Sequence, residues 1–299
     1  MVLTTKIDIP KADFEVSSGQ KILLLGSCFA DEIGEKLVRG GFDAMVNPFG
    51  TLYNPASIAV SLLRSISEHE YTKTSAELIH DDIQDVWHSW MHHSKFSSPD
   101  KENLIEKLNA TTMQVSDFLR EADVLIITLG TAIVYRLKEN GMLVANCHKQ
   151  LDSLFDRQRL SAYDIVDQWS MLLQLLASIN PKLRIVFTVS PIRHKRDGLH
   201  INQISKGILL QAVDEIVATS RQHANFGGLG ASYFPAYEIM LDELRDYRFY
   251  ADDMIHPSPL AVEYIWQRFQ DTYFNNKTKD EVAKATKAFA RLQHKTIVK

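Results

Sequence analysis

A three-layer α/β/α domain on about five parallel strands is what this sequence predicts, and three observations carry the prediction. Short apolar runs recur: KILLL at Lys21–Leu25, VLIIT at Val124–Thr128 and RIVFTV at Arg184–Val189. They are continuous rather than alternating, which implies strands buried on both faces. Each is followed by a segment with helical spacing of its apolar residues, and strands that alternate with helices imply a parallel sheet wrapped in helices. The chain is also long enough to fill such a domain, with 299 residues, 45% of them apolar and 23% charged. At this length folding buries roughly three quarters of the unfolded surface.

The elements follow in order. Lys21–Leu25 ends at Gly26, and Asp31–Val38 has helical spacing after it. Phe42–Val46 is a second short strand, ending in the turn-rich NPFGTLYNP. A helix over Pro55–Ile66 begins at Asn54, with Pro55 at its first position, where a missing N–H costs nothing. Asp100–Arg120 reads as the next helix. Val124–Thr128 is the third strand, Ser161–Ser178 a helix, and Arg184–Val189 the fourth strand, ending at Ser190-Pro191. Gln203–Ser220 is helical, Ser232–Phe234 is a short fifth strand, and Ser258–Phe274 is an amphipathic closing helix. Two insertions break the rhythm. Asp85–Phe96 reads as a hairpin or irregular lobe, and Val134–Leu137 with Met142–Ala145 flank KENG as a hairpin with a glycine-containing turn. The expected organisation is one domain over residues 1–275, with insertions near 80–98 and 134–150, and a basic helical appendage over 276–299.

Charge and cysteine usage narrow the function. With 33 Lys+Arg against 37 Asp+Glu and a net charge of −4, the chain lacks the concentrated positive field that nucleic acid demands. No apolar run approaches the ~20 residues that span a bilayer. The N-terminal MVLTTKIDIPKADFEVSSGQ has no apolar core of a signal peptide. The expected compartment is therefore the cytoplasm, where Cys28 and Cys147 are thiols rather than a disulfide.

In open parallel sheets, ligands bind beyond the carboxyl ends of the strands. The residues there are Gly26-Ser27-Cys28-Phe29-Ala30 after strand one, Asn47-Pro48-Phe49-Gly50-Thr51 after strand two, Gly130-Thr131-Ala132 after strand three, and Ser190-Pro191-Ile192-Arg193-His194 after strand four. Asp252-Asp253-Met254-Ile255-His256-Pro257 precedes the last helix. They supply two candidate nucleophiles, a base, and a carboxylate able to hold that base's tautomer.

This set of blocks resembles the SGNH hydrolase (GDSL esterase-like) superfamily, and the string GSCFA is similar to the signature of one bacterial family within it. The resemblance runs from about Ile22 to about Phe269 and implies a flavodoxin-like fold and an esterase. It implies that His256 is the base, Asp253 its orienter, and Gly50 an oxyanion donor. The nucleophile stays open between two residues. Anchoring on Gly26 pairs the superfamily serine with Cys28, whereas sliding by one residue selects Ser27. A thiol at a helix N-terminus has its thiolate favoured by the helix dipole and a neighbouring base; a serine there is commonly an N-cap. The superfamily's third block carries an asparagine that is missing from Gly130-Thr131-Ala132, and Asn47, Thr131 and Asn146 are the substitutes. His148 and His194 border the same edge as candidate substrate contacts.

Other readings are weaker. His80, Asp81, Asp82, Asp85, His88, His92 and His93 crowd into one segment, but match no metal-binding spacing. Phosphate-loop glycine patterns are absent. Trp87, Trp90 and Phe96 offer rings for stacking on a sugar in a non-catalytic binding module. The expectation is a hydrolase of esters with a small, acetyl-like acyl group, carbohydrate esters included, through a covalent acyl-enzyme. It needs no cofactor or metal. Acyl transfer on the same residues is the nearest alternative.

Overall fold

The computed structural model describes residues 5–222 and 229–296. Residues 1–4 and 297–299, which the expected domain limits and the N-terminal reading include, lie outside the described residues. Five strands, β1 (Lys21–Gly26), β2 (Asp43–Val46), β5 (Val124–Leu129), β9 (Arg184–Val189) and β10 (Ala231–Phe234), form one sheet in the order β10-β9-β5-β1-β2. Every pairing within it is parallel. Counted among the parallel strands alone, the order is 2-1-3-4-5, the flavodoxin-like arrangement, and the chain reverses its direction of travel between β1 and β5.

The continuous apolar strands have the physical cause expected of them. Leu23, Leu25, Leu125, Ile127, Ile185 and Phe187 face one core, which they share with α2 (Pro55–Ser67), α3 (Lys101–Glu121), α4 (Ala162–Ile179) and α5 (Leu199–Gln222). Ile22, Leu24, Val124, Ile126 and Val186 face the other, shared with α1 (Cys28–Arg39), the short α6 (Ala236–Glu238), α7 (Pro259–Tyr273) and α8 (Asn276–Thr296). Alternate residues of each strand thus fill opposite cores, and the three-layer α/β/α prediction holds. Asn54 caps α2 with Pro55 at its start, as the sequence indicates, and Ser161 with Asp164 closes a reciprocal capping box on α4.

Both insertions are sheets. β3 (Leu78–Asp81) and β4 (Val86–Ser89) form an antiparallel hairpin that begins earlier than the sequence suggests. β6 (Ile133–Leu137) pairs with β7 (Leu143–Val144) around KENG, and its other edge is taken by β8 (Phe155–Arg159). β8 was not anticipated. Only Phe155 of its five residues is buried, so FDRQR carries no alternation of apolar and polar side chains. Trp90 and Phe96 are buried, while Trp87 lies under the Lys101 ammonium, so the rival reading of these rings as a sugar-stacking surface finds no support in their packing. α8 lays Val282 into the second core. Among the described residues no helix is long and apolar enough to cross a membrane.

Candidate active site

The turn leaving β1 is built around Gly26. Its φ is +145°, and a Cβ there would stand 2.1 Å from the Thr128 carbonyl oxygen of β5, so only glycine fits. The Gly26 N–H donates to Asn47 Oδ1 at 2.9 Å, and Asn47 Nδ2 donates to Asp31 Oδ1 at 2.7 Å. This strut fixes the start of α1. Ser27 is the N-cap: its Oγ accepts from the Phe29 N–H and donates to Ser190 Oγ at 2.9 Å. Ser27 is fully buried. Cys28, the first residue of α1, is half-buried and lines a cavity of about 890 Å³ at the carboxyl ends of the strands. Its Sγ lies 3.6 Å from the Tyr53 hydroxyl.

His256 lines the same cavity. Asp253 Oδ2 is 2.6 Å from His256 Nδ1, while its Oδ1 accepts the backbone N–H groups of Ile255 and His256 at 2.8 and 3.0 Å. These hydrogen bonds, led by that of the His256 backbone, lower the Asp253 carboxyl to about 2. The loop is tied down from outside as well, because Arg193 donates its backbone N–H to the Ile255 carbonyl and its guanidinium to the Met254 carbonyl, both at 3.2 Å. The Arg193 guanidinium also lies 3.9 Å from the Tyr250 ring centroid.

The remaining predicted residues divide. Asn47 and Gly50 do not line the cavity, which corrects the roles expected of them. Asn47 is the strut just described, and the Gly50 N–H donates to the Asn47 carbonyl at 2.8 Å inside a turn where φ is +86°. Thr131, Asn146, His148 and His194 do line it. Three of these are engaged by the protein. Thr131 Oγ1 is 3.0 Å from Ser205 Oγ, Asn146 Oδ1 accepts the His148 N–H, and both His148 ring nitrogens are bonded, to Ser94 Oγ and to the Ser89 carbonyl. Burial, chiefly, lowers His148 to about 4, so it stays neutral. His194 is different: its Nε2 is buried without a hydrogen-bond partner, and its ring meets Tyr53 edge-on at 5.6 Å. Burial, with Lys206 and His256 nearby, lowers it to about 4.

The histidines of 80–93 point apart. His80 pairs with Asp82, His88 stacks on His148 at 4.3 Å, His92 bonds Ser89, and His93 caps the short helix of residues 94–96.

The GSCFA family model matches residues 21–269. The chain belongs to the GSCFA family. No curated protein matches it. Among solved structures, this GSCFA chain is similar to a carbohydrate esterase family 3 protein from Talaromyces cellulolyticus at 9% identity, over 89% of its own length and 99% of that chain, with a TM-score of 0.39. It is similar to an acetyl xylan esterase from the rumen bacterium Butyrivibrio proteoclasticus at 11% identity, over 85% of its own length and 63% of that chain, with a TM-score of 0.37.

One cavity residue of the GSCFA chain, Tyr53, escaped the sequence reading. It lies two residues past Thr51 in the turn-rich segment after β2, where glycine and proline drew attention to backbone shape instead. Lys206, only 1% exposed, donates to the carbonyls of Gly130 and Ser190 at 2.7 and 2.6 Å, tying the ends of β5 and β9 together. In the sequence it belongs to the polar run of Asn202, Ser205 and Lys206 that follows the fourth strand.

Proposed function

We propose that this chain is an acyl-ester hydrolase of the SGNH type that works through an acyl-cysteine. The observation that carries the reading is that Cys28 and the Asp253-held His256 line one cavity at the strand-order reversal of the sheet, whereas Ser27 is buried with its hydroxyl bonded to Ser190. Asp253 fixes the proton on His256 Nδ1, which leaves Nε2 free to accept a proton. His256 takes the Cys28 thiol proton. The sulfur forms a bond to the ester carbonyl carbon, and the carbonyl electron pair moves onto oxygen. That oxyanion is met by the Cys28 backbone N–H at the start of α1, since the Phe29 and Ala30 N–H groups are taken by Ser27. Collapse breaks the C–O bond, and His256 returns its proton to the departing alcohol. Water then attacks the thioester by the same route and frees the acid. The small acyl group leaves most of a cavity of about 890 Å³ for the alcohol, so carbohydrate acetates are suitable esters to try.

Hydrolysis of p-nitrophenyl acetate by Cys28→Ala and Ser27→Ala proteins tests the reading. Cys28→Ala should lose at least about 10³-fold in kcat. Ser27→Ala should keep most of the activity while losing about 1 kcal/mol of stability with its cap. The wild-type protein quenched during turnover should carry one acetyl group on Cys28. Activity lost in the serine variant and kept in the cysteine variant overturns the assignment.

A further inference from the structure

We propose that the Tyr53 hydroxyl is a catalytic hydrogen-bond donor, bonded to the Cys28 sulfur before attack and to the substrate oxyanion after it. This rests on the acyl-ester reading above and adds to it a side-chain donor that neither the sequence motif nor the family match assigns.

Four observations converge on Tyr53. Its hydroxyl is 3.6 Å from Cys28 Sγ, within reach of a sulfur hydrogen bond. Thr51 Oγ1 donates to the same hydroxyl at 3.4 Å and so occupies its acceptor side, which directs the phenol's own proton toward the sulfur. The residue is held at both ends: its carbonyl accepts the N–H groups of Gly130 and Thr131 at 2.8 and 2.9 Å, and its ring is packed edge-on against His194. A donor whose ring is fixed in this way has only its O–H left to reorient when charge develops. Finally, two of the three side chains expected to meet the oxyanion are engaged elsewhere, Asn47 on Gly26 and Asp31, and Thr131 on Ser205, while the third, Asn146, has its Oδ1 on the His148 N–H. Burial pushes the Tyr53 phenol up to about 12, so it remains a donor across the working range.

The step balances without transfer of the phenol proton. The thiol proton resides on His256 while the thiolate attacks. As the C–S bond forms, negative charge passes from sulfur to the carbonyl oxygen, one bond beyond the attacked carbon. The Tyr53 O–H follows the charge over that short distance, and on collapse it returns to the neighbourhood of the sulfur.

The test is the pH dependence of Cys28 alkylation by iodoacetamide, read at the Cys28 peptide by mass spectrometry, in wild-type and Tyr53→Phe protein. The phenylalanine keeps the ring packing and removes only the hydroxyl. We expect the midpoint of the alkylation profile to rise by about one pH unit, equivalent to about tenfold slower alkylation below it. We also expect kcat on p-nitrophenyl acetate to fall about 10–100-fold with little change in KM. Thr51→Val, which frees the phenol to turn away, should move the profile in the same direction by less, and it serves if Tyr53→Phe fails to fold. An alkylation profile that superimposes on wild type overturns the proposal. Failure of the underlying esterase reading looks different: wild-type protein without turnover, or turnover that survives Cys28→Ala.

Discussion

Asp253 has little freedom to do anything but hold His256. One oxygen takes two backbone N–H groups and the other takes the imidazole, and the carboxyl is lowered to about 2 by those bonds. A carboxylate so depressed is ionised at every pH above about 3. In the proposed reaction, the acid limb of the rate–pH profile should therefore show no inflection from Asp253 above that pH. Asp253→Asn, which presents a donor to Nδ1 and favours the wrong tautomer, should reduce kcat by about 10³–10⁴-fold without shifting the Tm by more than a few degrees. Asn47 is the opposite kind of residue. It sits beside the candidate chemistry in sequence and acts beneath it. Asn47→Ala leaves the buried Gly26 N–H without an acceptor and should cost about 1–3 kcal/mol in urea unfolding. The Asp253-x-x-His256 pairing was legible because both partners lie on one short turn. The choice between Ser27 and Cys28 was not, because it depends on the left-handed backbone at Gly26, which turns one side chain inward and leaves its neighbour facing the cavity.

At the scale of elements, α1 carries the site because it lies close to the sheet. Gly34 faces β2, and a Cβ there would stand 2.5 Å from both γ-methyl groups of Val46. Gly34→Ala gains about 1 kcal/mol of helix preference but pushes a branched side chain with one favoured rotamer. The overpacking should win, with a net loss of about 1–2 kcal/mol measured by denaturant midpoint, and the N-terminus of α1 should move with it. The helices were readable from caps and apolar spacing, as Asn54-Pro55 and Ser161 illustrate. β8 was unreadable because its partner is a strand edge rather than a core, and an edge imposes no pattern on FDRQR. The departure of Gly130-Thr131-Ala132 from the asparagine expected after β5 goes with a particular local structure. The Gly130 and Thr131 amides are bound to the Tyr53 carbonyl, so the segment after β2 closes over the end of β5 and brings Tyr53 to Cys28.

The ends of two central strands are joined by a buried lysine. Lys206 comes from α5, reaches the carboxyl ends of β5 and β9, and is lowered to about 7 by complete burial. Its depressed value means that the unfolded chain binds more protons between about pH 7 and 10.5, so this residue's contribution to stability grows as pH rises through that window and is lost as pH falls to about 7. Urea midpoints should rise relative to a Lys206→Met protein across that range, with a slope of at most about 1.4 kcal/mol per pH unit. Parallel slopes for the two proteins would discard the assignment. By itself the sequence determined the layered α/β class, the strand and helix succession and the Asp253–His256 turn, because burial on two faces, capping and short-range spacing are local and leave a pattern in consecutive residues. Only the tertiary structure decided that Cys28 rather than Ser27 faces the cavity, that Asn47 and Gly50 stay out of its lining, that Tyr53 lines it, and that Lys206 ties the ends of β5 and β9 together. Those outcomes depend on which strand ends are neighbours, and a parallel sheet brings together residues that the chain separates by a hundred positions or more.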